Sequence, residues 1–349
     1  MTDQLTEFPE VTLPQWPRLL TGLEVLERGE DEIQIGLDPR HGVMASGLPP
    51  DLVAALRSLD GTRRTEALLA LAKSEHVEEL RAVLTGLTQL GLIEDAGPPA
   101  RHRRPAAEAG LWSLRSRRPR QEIATRREHA AVVLHGSGRL AIAMATQLAA
   151  AGIGRIHVET SGNVTEEDLG CGYVESDLGS SRAAASIAAI RRTNPATRTG
   201  RLPSDRRPEL VVLTDAVVPA PEVVCMLVAE SVPHLAVRIR DGLGIVGPLV
   251  LPGRSSCLRC ADLHRTALDA CWPKVASQLA GRRQQADLAS VHATAAMACG
   301  QVLRILNPGD GPPPVWNATI EIDTYEGTMG RTEWPPHPAC TCEAARTNA

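Results

Sequence analysis

The apolar positions of this chain change their period several times, and each change marks an element. Between residues 1 and 97 the segments around Leu19 to Val43 (LEVLERG, EIQIGL) alternate apolar and polar residues, which predicts a small antiparallel sheet. Helical spacing follows over Pro50 to Leu59, Thr65 to Ala72 and His76 to Leu90. Asp60-Gly61 marks the turn after the first helix, and GLIEDA (Gly91 to Ala96) reads as a return strand or wing. Strands with a three-helix tail predict a small winged-helix-like domain. Glu66, Glu75, Glu78 and Glu79 lie on its helices, so protein or peptide contact suits it better than reading DNA.

Residues 98–128 are rich in proline and arginine, including Arg101, Arg103, Arg104, Arg115, Arg117, Arg118 and Arg120. They read as a linker and a basic lead-in helix, either a solvated charge run or an anion contact. The pattern then becomes compact. Ala131 to Leu134 form a short apolar run and Gly136 and Gly138 a tight turn. Leu140 to Ala151 are small and apolar, Gly152 and Gly154 stop the helix, and Arg155 to Val158 lead to the acid Glu159. Strand, G-x-G-x-x-A turn, helix, strand and acid form one βαβ unit. Its glycines admit a phosphate to the backbone, and its helix N-terminus offers free amides. Glu159 stands about 20 residues on, where a ribose-hydroxyl acceptor belongs. The alternative is a βαβ unit that binds no nucleotide.

Further on, Leu178 to Thr193 predict a helix, Leu210 to Thr214 a buried strand ending at Asp215, and His234 to Ile239 another. DGLGIVGPLVLPGRSSC reads as a hairpin, about Gln284 to Leu306 as a long helix, and Thr319 to Asp323 as a strand. Alternation of this kind predicts an α/β fold: a Rossmann-like, mostly parallel sheet with helices on both faces, behind the small N-terminal domain.

Composition narrows the function. The 349 residues carry a net charge of -4 and 2% aromatics, so neither a nucleic-acid footprint nor stacking platforms are supplied. No apolar run of about 18 residues occurs, which speaks against a membrane span. MTDQLTEFPEV lacks the basic and apolar regions of a signal peptide, so a cytoplasmic address is expected.

Eight cysteines without a secretion signal favour thiols or a metal over a disulfide framework. Cys257 and Cys260 form C-x-x-C, and Cys340 and Cys342 form C-x-C at the tail. Together they are enough for one tetrahedral Zn²⁺ site, with a disulfide or redox pair as the alternative. His264 and His337 could substitute as ligands or bond behind them. Cys225 and Cys299 read as buried thiols.

Two resemblances rest on these residues. LDPRHGVMASGLPPDLVAALRSLDGTRRTEALLALA together with LTQLGLIEDA is similar to PqqD-like domains, also called RiPP recognition elements, which bind a leader peptide as an added strand. The glycine turn, GIGRIHVE, the strand ending in Asp215, GPLVLPGRSSCLRC and the paired-cysteine tail, spanning about 129–345, resemble the ThiF/MoeB superfamily of ubiquitin-activating-type enzymes. That resemblance implies a ThiF-like nucleotide-binding domain over 129–349 ending in a zinc-binding tail, and a homodimer. It implies ATP and Mg²⁺ as ligands and adenylation of the C-terminal carboxylate of a peptide or small protein.

Carried over by position, Gly136 and Gly138 lie against the phosphates, Glu159 holds the ribose, and Asp215 handles Mg²⁺. Arg182 takes the place of a lysine, and Cys257, Cys260, Cys340 and Cys342 hold zinc. The departures are specific. Ser161 stands where a second acid belongs, Asp168 replaces an asparagine, and an expected arginine falls near Cys171. The basic lead-in from Arg115 to Arg127 is a candidate source of a substitute, including from a partner subunit. Cys171 itself could form a thioester, although no histidine or lysine lies near it in sequence.

Three readings are therefore open: an ATP-dependent adenylyltransferase, a catalytically degenerate scaffold that grips a peptide and docks a partner enzyme, and a nicotinamide-dependent oxidoreductase. The last leaves the cysteine pairs unexplained.

Overall fold

The computed structural model describes residues 12–96, 103–116, 118–283, 285–309 and 311–344; for 103–107 only the backbone is described. The stretch MTDQLTEFPEV, the linker residues Gly97 to His102, and Arg117 lie outside the described residues. The chain divides into two compact units, Met1–Ala124 and Thr125–Ala349.

In the first unit, β1 (Pro17–Leu19), β2 (Val25–Glu27), β3 (Ile33–Ile35) and β4 (Val43–Ala45) precede α1 (Pro50–Arg57), α2 (Thr65–Leu69) and α3 (Val77–Gln89). β5 (Ile93–Asp95) returns to pair antiparallel with β1, and β2-β3-β4 form a separate antiparallel sheet. The alternation read from the sequence has a physical outcome. Ile33 and Ile35 point inward, while Gln34 faces outward beside Met44, which is 63% exposed. Leu52, Leu56, Leu80 and Leu84, spaced as helix faces require, close the core beneath them together with Leu92 from the turn before β5. α4 (Arg103–Ser116) and α5 (Arg120–His129) follow, the latter running into the second unit.

The second unit is built on a mixed sheet of eight strands in the order β13-β12-β11-β10-β9-β6-β7-β8. β6 (Ala131–His135), α6 (Arg139–Ala150) and β7 (Arg155–Glu159) form the parallel βαβ unit expected from the spacing. α7 (Arg182–Thr193) leads to the short β8 (Arg198–Thr199), parallel to β7. β9 (Leu210–Leu213) lies on the other side of β6, also parallel. α8 (Pro221–Ala229) connects β9 to the parallel β10 (His234–Arg240). From there the sheet turns antiparallel through the predicted hairpin to β11 (Leu243–Val250). Then come α9 (Leu258–Leu268), α10 (Trp272–Leu279) and α11 (Leu288–Leu306), before β12 (Ala318–Asp323) and β13 (Thr328–Glu333) complete the antiparallel side.

Helices cover both faces. Val133, Val211 and Leu213 pack against Val223, Val224 and Leu227 of α8. Val132, Leu134, Leu210 and Val212, on the alternate positions of the same strands, are fully buried and point to the opposite face. α6 is buried almost all round, from Leu140 to Ala149, because it sits between other elements, and its small residues permit the close approach. Gly244 of β11 serves the same end: a Cβ there would lie 2.0 Å from Thr294 Oγ1 of α11. α8, α9 and α10 had no counterpart in the sequence pattern. α8 is apolar nearly throughout and so lacks the helical period. No helix among the described residues is long and apolar enough to cross a membrane.

Candidate functional site

β6 and β9 are neighbours whose following chains depart differently, one into α6 and one into α8, so their C-terminal ends bound the switch point of the parallel sheet. Gly136 follows β6 and Asp215 follows β9. The two ends are pressed together: a Cβ on Gly136 would stand 1.9 Å from Thr214 Oγ1, and one on Gly138 2.5 Å from Asp215 Oδ1. Only glycine fits this turn. The Gly138 amide donates to Asp215 Oδ2 at 3.0 Å, and the Thr214 hydroxyl donates to the same oxygen at 2.8 Å. The carboxylate thus sits at the positive end of α6. Asp215 adopts the left-handed region at φ 67°, a conformation that costs free energy in a non-glycine residue and is held here by these bonds. Burial pushes its carboxyl above the ordinary value, more than the Gly138 amide and the Thr214 hydroxyl lower it.

The other expected nucleotide residue lies beside this turn. His135 and Glu159 are register partners, and the Gly136 amide donates to the Glu159 carbonyl at 3.1 Å. The Glu159 side chain is exposed at the end of β7.

Arg182, by contrast, is buried and committed. Its Nε and Nη2 donate to Asp168 Oδ2 at 3.1 and 2.7 Å, and its Nη1 to the Ser161 carbonyl at 3.0 Å. Asp168 is also bonded by the Thr165 amide and hydroxyl. Burial raises the Asp168 carboxyl, but the Thr165 amide and the Arg182 fork outweigh it and hold the group below the usual carboxylate range.

A second cation reaches the other oxygen. Arg283 Nη1 donates to Asp168 Oδ1 at 3.2 Å and to the Ser137 carbonyl, inside the glycine turn, at 3.0 Å. The sequence reading passed over Arg283, whose only local signal is a basic pair after Gly281. Three of the lead-in arginines have other partners: Arg118 pairs with Glu122, Arg120 with Glu94, and buried Arg127 donates to the Ala151 carbonyl.

Two cavities flank the turn. One, of about 350 Å³, is lined among others by Gly138, Arg139, Asp168, Asp215, Arg283 and Asp287. A smaller one, of about 150 Å³, is bounded by His135, Gly136, Thr214, Asp215, Val223 and Arg283. The larger lies at the lower end of the size range of small-molecule sites, roughly 300–1,000 Å³.

Cys171 is buried, and its Sγ is 3.8 Å from His292 Nε2 of α11. A histidine is therefore near in space although 121 positions away in sequence. That nitrogen also lies 3.2 Å from the Gly170 carbonyl, and burial pushes the thiol above its ordinary value, so Cys171 is a protonated interior thiol at neutral pH. Cys299 is buried as expected, whereas Cys225 is exposed on α8.

The four cysteines of the two close pairs converge. Their sulfurs all lie within 4.8 Å of one another: Cys257 to Cys260 is 3.8 Å, Cys257 to Cys340 is 3.6 Å and Cys260 to Cys342 is 3.6 Å. These distances exclude disulfides, whose sulfurs are about 2.05 Å apart. They match the edges, about 3.8 Å, of a tetrahedron with sulfurs about 2.3 Å from a zinc ion. Cys257 precedes α9 as its N-cap, where the helix end favours a thiolate. Burial and the neighbouring thiols otherwise push Cys257 and Cys260 up, an electrostatic cost that a divalent cation removes. The histidines stand outside the set. His264 packs edge-on against His337 at 4.7 Å and bonds the Pro335 carbonyl, so both secure the tail rather than join the sulfurs.

No protein-family model and no curated protein matches the sequence. Solved structures do. E. coli MccB in complex with MccA-N7isoASN superposes with a TM-score of 0.68 at 14% identity, covering 94% of this chain and 99% of that one. E. coli MccB with ATP gives a TM-score of 0.67 at 15% identity over 94% and 99% of the two chains. PaaA gives 0.66 at 16% identity over 90% and 98%. At these identities the likeness speaks for architecture: the α/β fold read from the sequence is the fold shared by MccB and PaaA.

Proposed function

We propose that this chain is a ThiF/MoeB-like protein that binds Mg·ATP and a peptide or small protein, and adenylates the C-terminal carboxylate of that substrate. The observation that carries the reading is the Gly136–Gly138 turn closed against Asp215 at the switch point, beside a cavity of about 350 Å³. In this reading the phosphates lie at the glycine turn and the start of α6. Glu159 takes the ribose hydroxyls, and Asp215 takes Mg²⁺, which would neutralise a carboxylate that burial disfavours as an anion. Arg182 positions Asp168 rather than touching the ligand. A substrate carboxylate oxygen forms the bond to the α-phosphorus, the bond from the α-phosphorus to the bridging oxygen breaks, and pyrophosphate leaves. The four cysteines hold a structural zinc that ties the tail to α9.

MccB has been captured with ATP and with MccA, which supports a nucleotide and a peptide as ligands for a chain of this fold. In our reading the first unit supplies the peptide grip, by strand addition to the three-stranded sheet, as in PqqD-like domains.

A second reading has its own observation. Asp168 and Asp215 are both satisfied by groups of this chain, and Ser161 offers no second acid, which suits a degenerate domain that delivers a peptide to a partner enzyme. Calorimetric titration with Mg·ATP, with NADH as control, followed by pyrophosphate–ATP exchange in the presence of candidate peptides, separates them. ATP binding with peptide-dependent exchange supports the adenylating reading. Peptide capture with no ATP heat and no exchange would replace it with the scaffold reading, and NADH binding would overturn both.

A further inference from the structure

We infer that Arg283 is the cation that meets the nucleotide phosphates in the larger cavity, supplied by this chain itself, in place of the arginine expected near Cys171. The inference rests on the ATP reading and adds to it a residue from a distant part of the chain.

Three arginines stand at this site. Arg182 is 10% exposed at its side chain, and its Nε, Nη1 and Nη2 are each already engaged with Asp168 or the Ser161 carbonyl. Arg139 lines only the larger cavity, where its Nη1 is directed towards the Ala286 carbonyl at 3.4 Å and its Nε is buried. Arg283 differs from both. It lines both cavities, and its side chain is 32% exposed. Of its nitrogens only Nη1 is bonded among the described residues, to Ser137 and Asp168. Its Nε and Nη2 remain for a ligand.

Charge makes the assignment firmer. Asp168 carries one negative charge and faces two guanidinium groups, one of them in fork contact on Oδ2 and the other on Oδ1. Arg182 already neutralises it. Arg283 is not needed for that pairing; it is held within hydrogen-bond distance of the turn where a phosphate would lie, with Asp215 as the other carboxylate it acts on. A planar fork with free donors suits a phosphate better than an ammonium does. The exchange of an asparagine for Asp168 also acquires a reason: a carboxylate at that position holds Arg283 over the turn until an anion enters. An arginine from the partner subunit is then unnecessary.

The test is calorimetric titration of the full chain with Mg·ATP and, separately, with adenosine. Wild type, Arg283→Ala, Arg283→Gln and Arg283→Lys are compared, and thermal melting of each ligand-free protein is recorded. The expected result is roughly tenfold or greater weakening of ATP binding in Arg283→Ala and Arg283→Gln, as loss of a charge-assisted bond implies. Adenosine affinity stays unchanged, and Arg283→Lys recovers part of the loss. Arg283→Gln keeps a donor for the Ser137 carbonyl, so the comparison survives if the alanine variant fails to fold. ATP affinity equal to wild type in both variants would overturn the inference while leaving the nucleotide reading intact. So would equal weakening of ATP and adenosine, which marks a merely structural role. Wild-type protein that binds neither ligand would overturn the nucleotide reading itself and this inference with it.

Discussion

Gly138 and Asp215 are 77 positions apart, and the amide of the first donates to the carboxylate of the second at 3.0 Å. The bond ties the end of β9 to the start of α6, which places a buried acid at the positive end of a helix. The same contact explains why both glycines are needed and why Asp215 holds a left-handed backbone. The fixed geometry of that turn is what the larger cavity is built on.

Replacing Gly136 with alanine tests the closeness of the turn. Its Cβ would meet Thr214 Oγ1 at 1.9 Å and Asp215 Oδ2 at 2.4 Å, so these side chains or the strand ends that carry them must shift. We expect a loss of about 1–3 kcal/mol, as for overpacking elsewhere. Thermal melting beside Gly300→Ala, where no atom lies within 4 Å, provides the control. Equal melting temperatures for the two variants would contradict the crowding.

Asp168→Asn removes the counter-charge from buried Arg182 and from Arg283. Breaking a buried pair on one side costs roughly 3 kcal/mol, measured as a lowered urea midpoint at pH 7. The native carboxyl is held below its unfolded value, so its contribution is present above the ordinary carboxylate range. It is lost as the pH falls through the lower, folded value. The asparagine variant should therefore lose less stability than wild type between pH 5 and pH 3. Parallel acid curves for the two proteins would refute the pairing.

Zinc content responds to the tail. Cys340→Ser removes a sulfur 3.6 Å from that of Cys257 and leaves three in the cluster. Elemental analysis should find one zinc per wild-type chain and clearly less in the variant after dialysis against a chelator, with a lower melting temperature, because metal binding contributes folding free energy. Undiminished zinc in the variant would count against a four-cysteine site.

His234 makes stability sensitive to mild acid. The ring is fully buried at the start of β10. It bonds the Val232 carbonyl through Nδ1, and its Nε2 has no partner among the described residues. Burial lowers its pKa below the ordinary value, so the unfolded chain takes up a proton first as the pH falls. Stability from this group is full above about pH 6.5 and declines below it. Urea denaturation at pH 7.5 and pH 5.5 should show a decline in wild type that His234→Leu reduces. An unchanged pH difference in the variant would remove His234 as the cause.

Much of this protein is written in short-range pattern. The strand, G-x-G turn, helix, strand and acid from Ala131 to Glu159 have the observed bounds because period and glycine placement act within a few residues. The close spacing within each cysteine pair similarly pointed to sulfurs able to share one ion, and the four sulfurs do converge within 4.8 Å of one another. The helices of the first unit were legible from their leucine spacing.

What tertiary structure alone decided are the partners that meet across long separations. Nothing local assigns Arg283 to Asp168, 115 positions away, or His292 to Cys171, or tells that Arg182 is spent on Asp168 rather than on a ligand. A charged side chain in a loop carries no period, and its role depends on which strand ends the sheet order brings beside it. The order β9-β6-β7 is set by packing of the whole unit, so the identity of the site's cation became readable only once the chain was folded.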